Sequence, residues 1–193
     1  MSDAKPVMSL SVAPTKLGGN GGKFEFRQCR IGPAVGLEKL GCSLYVVPPG
    51  KRAFPYHAHS LMEEMYIVLD GSGTLRQDGQ EYPIRPGDVI ASPIGKAHQI
   101  VNTSENDLRY LVISNNDPVD VVLYPDSGKI GAISKAFGKT LWHLTRQSAA
   151  TDYYDGEEYL LKASAARMSE PTSQVRLPTI TPHVAVPVRA ACY

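Results

Sequence analysis

The chain has 193 residues, 42% of them hydrophobic, with 20 basic side chains against 19 acidic ones. That allows one well-buried core with an appended segment, and with charge nearly balanced and no Lys/Arg run of the density that nucleic acid or an anionic membrane surface requires, neither partner is indicated. Cys29, Cys42 and Cys192 are odd in number and widely spaced, which fits reduced thiols in a cytoplasm better than a disulfide framework. The opening residues lack a basic region followed by an apolar run, and no apolar stretch approaches membrane-spanning length, so a soluble, unexported protein is expected.

Residues 1–23 mix Pro, Ser and Lys and end in Leu17-Gly-Gly-Asn-Gly-Gly22. They offer little to bury and much backbone freedom, and read as an N-terminal arm. Phe24-Glu-Phe26 and Leu40-Gly-Cys-Ser-Leu-Tyr-Val-Val47 read as strands, separated by the loop-like Ile31-Gly-Pro-Ala-Val-Gly36, before Pro48-Pro49-Gly50 turns the chain. The next stretch sets His57 and His59 one residue apart, with a carboxylate five positions further on. In an extended strand alternate side chains share a face, so both histidines point one way, and a carboxylate from the following strand completes three inward groups with metal-ligand character. Met65-Tyr-Ile-Val-Leu69 is that following strand, and if Glu64 faces inward then Tyr66 and Val68 do too.

Asp78-Gly79 between two strand-like runs predicts a two-residue hairpin. After the Arg85-Pro-Gly-Asp88 turn come Val89-Ile-Ala-Ser92, Ala97-His-Gln-Ile-Val-Asn102 and Leu108-Arg-Tyr-Leu-Val-Ile-Ser114, the second of them carrying a further histidine, His98. Short strands with turn signals between them and no helical period predict an all-β sandwich or barrel. Val119-Asp-Val-Val-Leu-Tyr124 is one more strand, ended by Pro125-Asp-Ser-Gly128. Beyond it, Leu141-Trp-His-Leu-Thr145 and Tyr153-Tyr-Asp-Gly-Glu-Glu158 suggest a small element packed on the barrel, and residues 159–168 are the best helical candidate. The end, with Pro171, Pro178, Pro182 and Pro187, cannot form a regular helix.

Six residues separate Gly50 from His57, four separate His59 from Glu64, and six separate Glu64 from Gly71. Later, five residues lie between Gly87 and Pro93, one between Pro93 and Gly95, two between Gly95 and His98, and three between His98 and Asn102. Taken together these two stretches resemble the paired motifs of the cupin superfamily. The resemblance implies an all-β double-stranded β-helix, or jelly-roll barrel, over residues 24–125, flanked by the arm at 1–23 and a partly irregular C-terminal extension at 126–193. It also implies that His57, His59, Glu64 and His98 converge on one metal ion. Glu63, the rival carboxylate, has the wrong spacing to Gly71 and the opposite strand parity. Within the superfamily the chain looks like the small bacterial single-domain cupins, some described as sugar-phosphate isomerase-like, which commonly form homodimers.

Three imidazoles and a carboxylate suit Zn, Fe, Mn, Ni or Co better than Mg or Ca, and leave a six-coordinate ion two open positions. Such a site supports Lewis-acid isomerisation or a related proton-moving reaction on a small polar, sugar-phosphate-like or carboxylate substrate, or Fe(II)-dependent dioxygenation; the third reading is a metal- or ligand-binding module without turnover. Tyr66 and Tyr110 are candidate pocket hydroxyls. Lys51, Arg52 and Lys96 flank the pocket-forming loops and could steer an anion. His143 reads as structural and His183 as exposed, while Asp88 and Asn102 are expected to hold turns through backbone hydrogen bonds.

Overall fold

The computed structural model describes residues 6–135 and 139–155, and its contacts divide the chain into Met1–Asp152 and Tyr153–Tyr193. In the first unit the described strands are β1 (Lys16–Gly19), β2 (Glu25–Arg30), β3 (Leu40–Val47), β4 (Ala58–His59), β5 (Glu64–Asp70), β6 (Gly73–Gln77), β7 (Gln80–Ile84), β8 (Val89–Ser92), β9 (His98–Val101), β10 (Leu108–Asn115), β11 (Val119–Tyr124), β12 (Lys129–Ser134) and β13 (Leu141–Arg146). A single helical turn, α1 (Ile31–Ala34), stands where the sequence suggests only a loop.

The strands form a six-stranded sheet in the order β1-β2-β3-β10-β5-β8, a four-stranded sheet β13-β12-β11-β4 and a three-stranded sheet β7-β6-β9. An isolated antiparallel bridge between His57 and His98 joins the two smaller sheets, with the His57 N–H donating to the His98 carbonyl at 3.1 Å and the reverse bond at 2.8 Å. The all-β jelly-roll architecture is therefore as the sequence implies.

Side-chain alternation fills the interior. On β5, Tyr66 and Val68 are buried while Met65 is exposed, and on β10 Leu108, Tyr110 and Val112 face inward. With Tyr45, Val47, Leu75, Ile84, Ile90 and Ile100 they make one apolar core, burial that is the main favourable term for a sheet with one wet face. The Asp78-Gly79 hairpin is present, with Gln77 opposite Gln80 and positive φ at both turn residues, 46° and 78°. That combination defines the type I′ turn, whose twist matches that of the strands it joins. Pro83, which cannot donate to a ladder, sits on β7 at a sheet edge.

Two regions are more regular than their composition suggests. Lys16–Gly19, within the expected arm, pairs with β2, and Cys29 Sγ lies 3.9 Å from Met8 Sδ, so the lead-in is laid against the sheet. Past residue 125, β12 and β13 extend the sheet that contains β11 and β4. Both cases are pairings with the neighbouring strand in the chain, Gly19 opposite Glu25 and Tyr124 opposite Lys129, in short Gly-containing segments whose side-chain pattern does not advertise a strand. Of the second unit, residues 153–155 form a turn in which the Tyr153 and Tyr154 rings meet edge-on at 4.9 Å. The helical candidate at 159–168, the proline-rich end, His183 and Cys192 lie outside the described residues. Among the described residues, no helix is long and apolar enough to cross a membrane.

Candidate metal centre

Three short strands deliver the four side chains that the paired motifs name. His57 lies just before β4, His59 within it, Glu64 opens β5 and His98 opens β9. Because His57 and His98 are backbone-bonded to one another, their rings leave the same face of the sheet, with centroids 4.6 Å apart. The His59 ring follows two residues on, 4.9 Å from His57. One donor atom from each of His57, His59, Glu64 and His98 lies within 4.8 Å of all the others. Glu63 faces solvent, its backbone N–H held at 2.7 Å by Asn115 Oδ1.

The second nitrogen of every imidazole is already engaged. His57 Nδ1 lies 2.8 Å from the Pro55 carbonyl and His98 Nδ1 3.0 Å from the Lys96 carbonyl. His59 Nδ1 meets Asp120 Oδ2 at 2.5 Å. A carbonyl accepts only, so Nδ1 of His57 and His98 carries the proton, which leaves an Nε2 lone pair facing the interior. His98 Nε2 stands 3.0 Å and His59 Nε2 3.7 Å from Glu64 Oε2. Lone pairs brought this close repel unless a proton or a cation lies among them. Opposite ligands of an octahedral transition ion are about 4.2 Å apart, from bond lengths near 2.1 Å, so a contraction of a few tenths of an ångström suits these donors to one divalent ion.

Protonation states agree with that geometry. Burial, then the neighbouring His98 and His59 rings, lower His57 from 6.5 to about 4. For Glu64 burial acts upward, but His98, His59 and the Tyr66 hydroxyl outweigh it and bring the carboxyl down from 4.5 to about 2. Near neutrality His57 is thus neutral and Glu64 ionised, the forms that bind metals. The Tyr66 hydroxyl donates to Glu64 Oε2 at 2.6 Å and lies 3.0 Å from His98 Nε2. Burial, then the Glu64 charge, push its pKa well above 10, so it remains a proton donor. Tyr110 lies deeper in the core, its ring stacked on Tyr45 at 5.7 Å.

Asp120 is the important residue that spacing does not reveal. It is 1% exposed, and its Oδ1 accepts the backbone N–H groups of Ser60 and Leu61 at 3.2 and 3.0 Å while Oδ2 orients His59. A charged residue at an inward position of an otherwise apolar strand is the signal that could have flagged it. Ser92, directly across the ladder from Glu64, is also buried, with an unpartnered hydroxyl.

Beside the donors opens a cavity of about 220 Å³ lined by Phe54, Pro55, Met62, Val122, Tyr124, Ile133 and Trp142 together with His57, His59 and Glu64. Lys51, Arg52 and Lys96 are not among its lining residues. Lys51 donates to the Gly22 carbonyl, Lys96 pairs with Asp78, and the Arg52 guanidinium lies over the Phe24 ring. His143 is exposed on β13. Asp88 and Asn102 hold turns as expected, Asp88 accepting the Arg85 N–H and Asn102 donating to the Val47 and Asn106 carbonyls.

A family model described as a cupin domain matches residues 43–114. A solved structure of a candidate sugar phosphate isomerase from Acidithiobacillus ferrooxidans is 31% identical, with a TM-score of 0.69 over 77% of this chain and 96% of that one. The chain belongs to the cupin superfamily. A second cupin structure, a sugar phosphate isomerase from Silicibacter pomeroyi, is 25% identical, with a TM-score of 0.66 over 78% of this cupin and 98% of that chain. Auxin-binding protein 1 of Arabidopsis thaliana is 37% identical over 100 residues, 47% of this cupin and 50% of the relative. This cupin thus spans about half the length of the curated relatives it matches.

Proposed function

We propose that this cupin holds one divalent metal ion on His57, His59, Glu64 and His98 and acts on a small ligand by Lewis-acid chemistry of the isomerase type. The carrying observation is the convergence of four donor atoms within 4.8 Å, three of them on imidazoles whose other nitrogens are fixed. A bound Zn, Mn, Fe or Ni ion supplies Lewis acidity to an oxygen donor entering from the cavity. The protein's part is positional: carbonyls and Asp120 set the ring orientations, Tyr66 holds Glu64 by one oxygen, and the cavity walls beside the donors are mostly apolar. The two sugar phosphate isomerase structures support the reaction class.

Ligand binding without turnover is the second reading. It is favoured by the cavity itself, where Tyr124 is the only titratable side chain besides the donors among the described lining residues. Hydrogen exchange separates the two. Manganese- or zinc-loaded protein incubated in heavy water with fructose 6-phosphate, glyceraldehyde 3-phosphate or oxaloacetate should introduce deuterium next to a carbonyl; binding without exchange across the panel supports the binding module. Oxygen uptake by Fe(II)-loaded protein in the presence of any of these would instead favour the dioxygenase.

The partners in this reading are a small molecule and a second copy of the chain, in a cytoplasmic setting. Leu40, Met65, Val89 and Ile94 are exposed on or beside the six-stranded sheet and give a second copy apolar surface to cover. Sedimentation should show a dimer that a Met65→Lys/Val89→Lys variant dissociates; a monomeric parent chain contradicts the pairing.

A further inference from the structure

Arg52 is a part-buried cation without a counter-charge. Its Nε is closed off from solvent and has no hydrogen-bond partner, and its guanidinium carbon lies 5.9 Å from the centroid of the Phe24 ring. The backbone beneath it is held on both sides, the N–H donating to the Lys23 carbonyl at 3.1 Å and the carbonyl accepting the Glu25 N–H at 3.3 Å. Among the described residues no carboxylate pairs with it, whereas Lys51 pairs with Glu25, Arg76 with Asp126 and Lys96 with Asp78. A charged group left unpaired in a partly buried position calls for an explanation, and the fork of an arginine is shaped to take an oxyanion.

Arg52 borders a hollow of about 320 Å³ against the β7-β6-β9 sheet, with Thr74, Arg76, Glu81, Gln99 and Thr103. Strand alternation keeps this hollow apart from the histidines. On β6 Leu75 belongs to the core while Thr74 and Arg76 take the other face, and on β9 Gln99 and Val101 lie opposite Arg76 and Thr74, on the face away from His98 and Ile100. Most polar groups in the hollow are engaged. Arg76 grips both oxygens of Asp126 at 2.7 and 2.9 Å and lies 3.8 Å over the Tyr56 ring. The Gln99 amide donates to the Phe54 carbonyl at 2.8 Å. The Thr74 and Thr103 hydroxyls meet each other at 3.1 Å; one donates to the other, so one O–H is left over. A ligand is thus offered one guanidinium, one hydroxyl proton and, across the ladder from Arg76, the Glu81 carboxylate as acceptor. One unpaired cation matches one negative charge, and Glu81 on the same sheet face disfavours a second. Val101 is the one apolar side chain among the described lining residues, so an alkyl body would bury little here.

We infer that this hollow is a second ligand site, for a small singly charged carboxylate with a hydroxylated body, whose head lies on Arg52 and whose hydroxyls meet Thr74, Thr103 and Glu81. It shares no lining residue with the four converging donors, so it stands whether or not they hold a metal.

The test is a titration of nitrogen-15-labelled full-length protein, with ionic strength held constant by potassium chloride, against gluconate, acetate, glucitol and inorganic phosphate. The amide resonances of Arg52, Thr74, Gln99, Val101 and Thr103 and the Arg52 Nε–H resonance report occupancy. Gluconate should shift them saturably and bind more tightly than acetate, while uncharged glucitol should leave them in place. Arg52→Gln should weaken gluconate by about tenfold or more, and Thr103→Val, at an exposed position where folding is safe, by about threefold to tenfold. A His57→Ala/His98→Ala variant should bind gluconate here unchanged. Shifts that fail to saturate, glucitol binding as tightly as gluconate, or phosphate binding more tightly than gluconate would overturn the inference. So would full affinity in a folded Arg52→Gln variant or in Thr103→Val, or loss of the shifts in the His57→Ala/His98→Ala variant, which would put the ligand at the donors instead.

Discussion

A metal-binding imidazole is useful only if its other nitrogen is held, and in this chain two carbonyls and one carboxylate do the holding. The carboxylate is the most informative of the three, because Asp120 can be removed without touching a ligand. Asp120→Ala should weaken metal affinity by about 10-fold to 100-fold, read by competition against a chelator, and unchanged affinity would show that His59 needs no such support. The same residues set the acid response of the metal-free protein. His57 titrates at about 4 when folded against an ordinary 6.5, so an unfolded chain takes up a proton there before the folded one does. Stability is therefore full above about pH 6.5 and falls as the pH drops toward 4, by about 3 kcal/mol at most if each pH unit contributes 1.36. Glu64, lowered from 4.5 to about 2, acts in the same direction at still lower pH. Urea midpoints measured from pH 7 to 4 should decline, and His57→Gln should flatten the decline; a flat profile in the parent chain contradicts the assigned burial of a neutral His57.

Among elements, the turns decide where the ligands arrive. Gly71 closes the first motif with φ 74°, and a Cβ there would stand 2.3 Å from the Asp107 carbonyl oxygen. Neither the dihedral nor the contact admits a side chain without moving the backbone. Gly71→Ala should lower stability by about 2 kcal/mol or more, seen as a reduced urea midpoint. Gly79→Ala, strained in φ but with nothing within 4 Å of the new Cβ, should cost less; equal losses would mean that the Asp107 contact is unimportant. This is also the scale at which sequence reading works best and then stops. The His57/His59 alternation, the choice of Glu64 over Glu63 and the Asp78-Gly79 hairpin are local, set by a period of two and by turn chemistry. Asp120 reaches His59 across 61 residues of chain, and the Ile133 and Trp142 wall exists because β12 and β13 extend the sheet. Contact across 61 residues leaves no periodic trace in either partner, whereas β12 and β13 pair with their immediate neighbours in the chain.

For the whole molecule, the core and the four converging donors are parts of one construction. Tyr66 is both a fully packed member of the core and the hydroxyl that holds Glu64, so the barrel that buries the apolar side chains also fixes the donors. The single bridge between His57 and His98 closes the two smaller sheets at the point where the rings converge, which ties sheet closure to ligand geometry. Charge plays little part at this scale, since the chain carries a formal net charge of +1. What remains is whether the converging donors hold an ion. Metal analysis by inductively coupled plasma mass spectrometry, on full-length protein purified without added metal, should find about one equivalent of a divalent transition ion, lost in a His57→Ala/His98→Ala variant that still folds. Protein free of metal that also takes up none on incubation, or a variant that retains a full equivalent, would contradict the four-ligand centre.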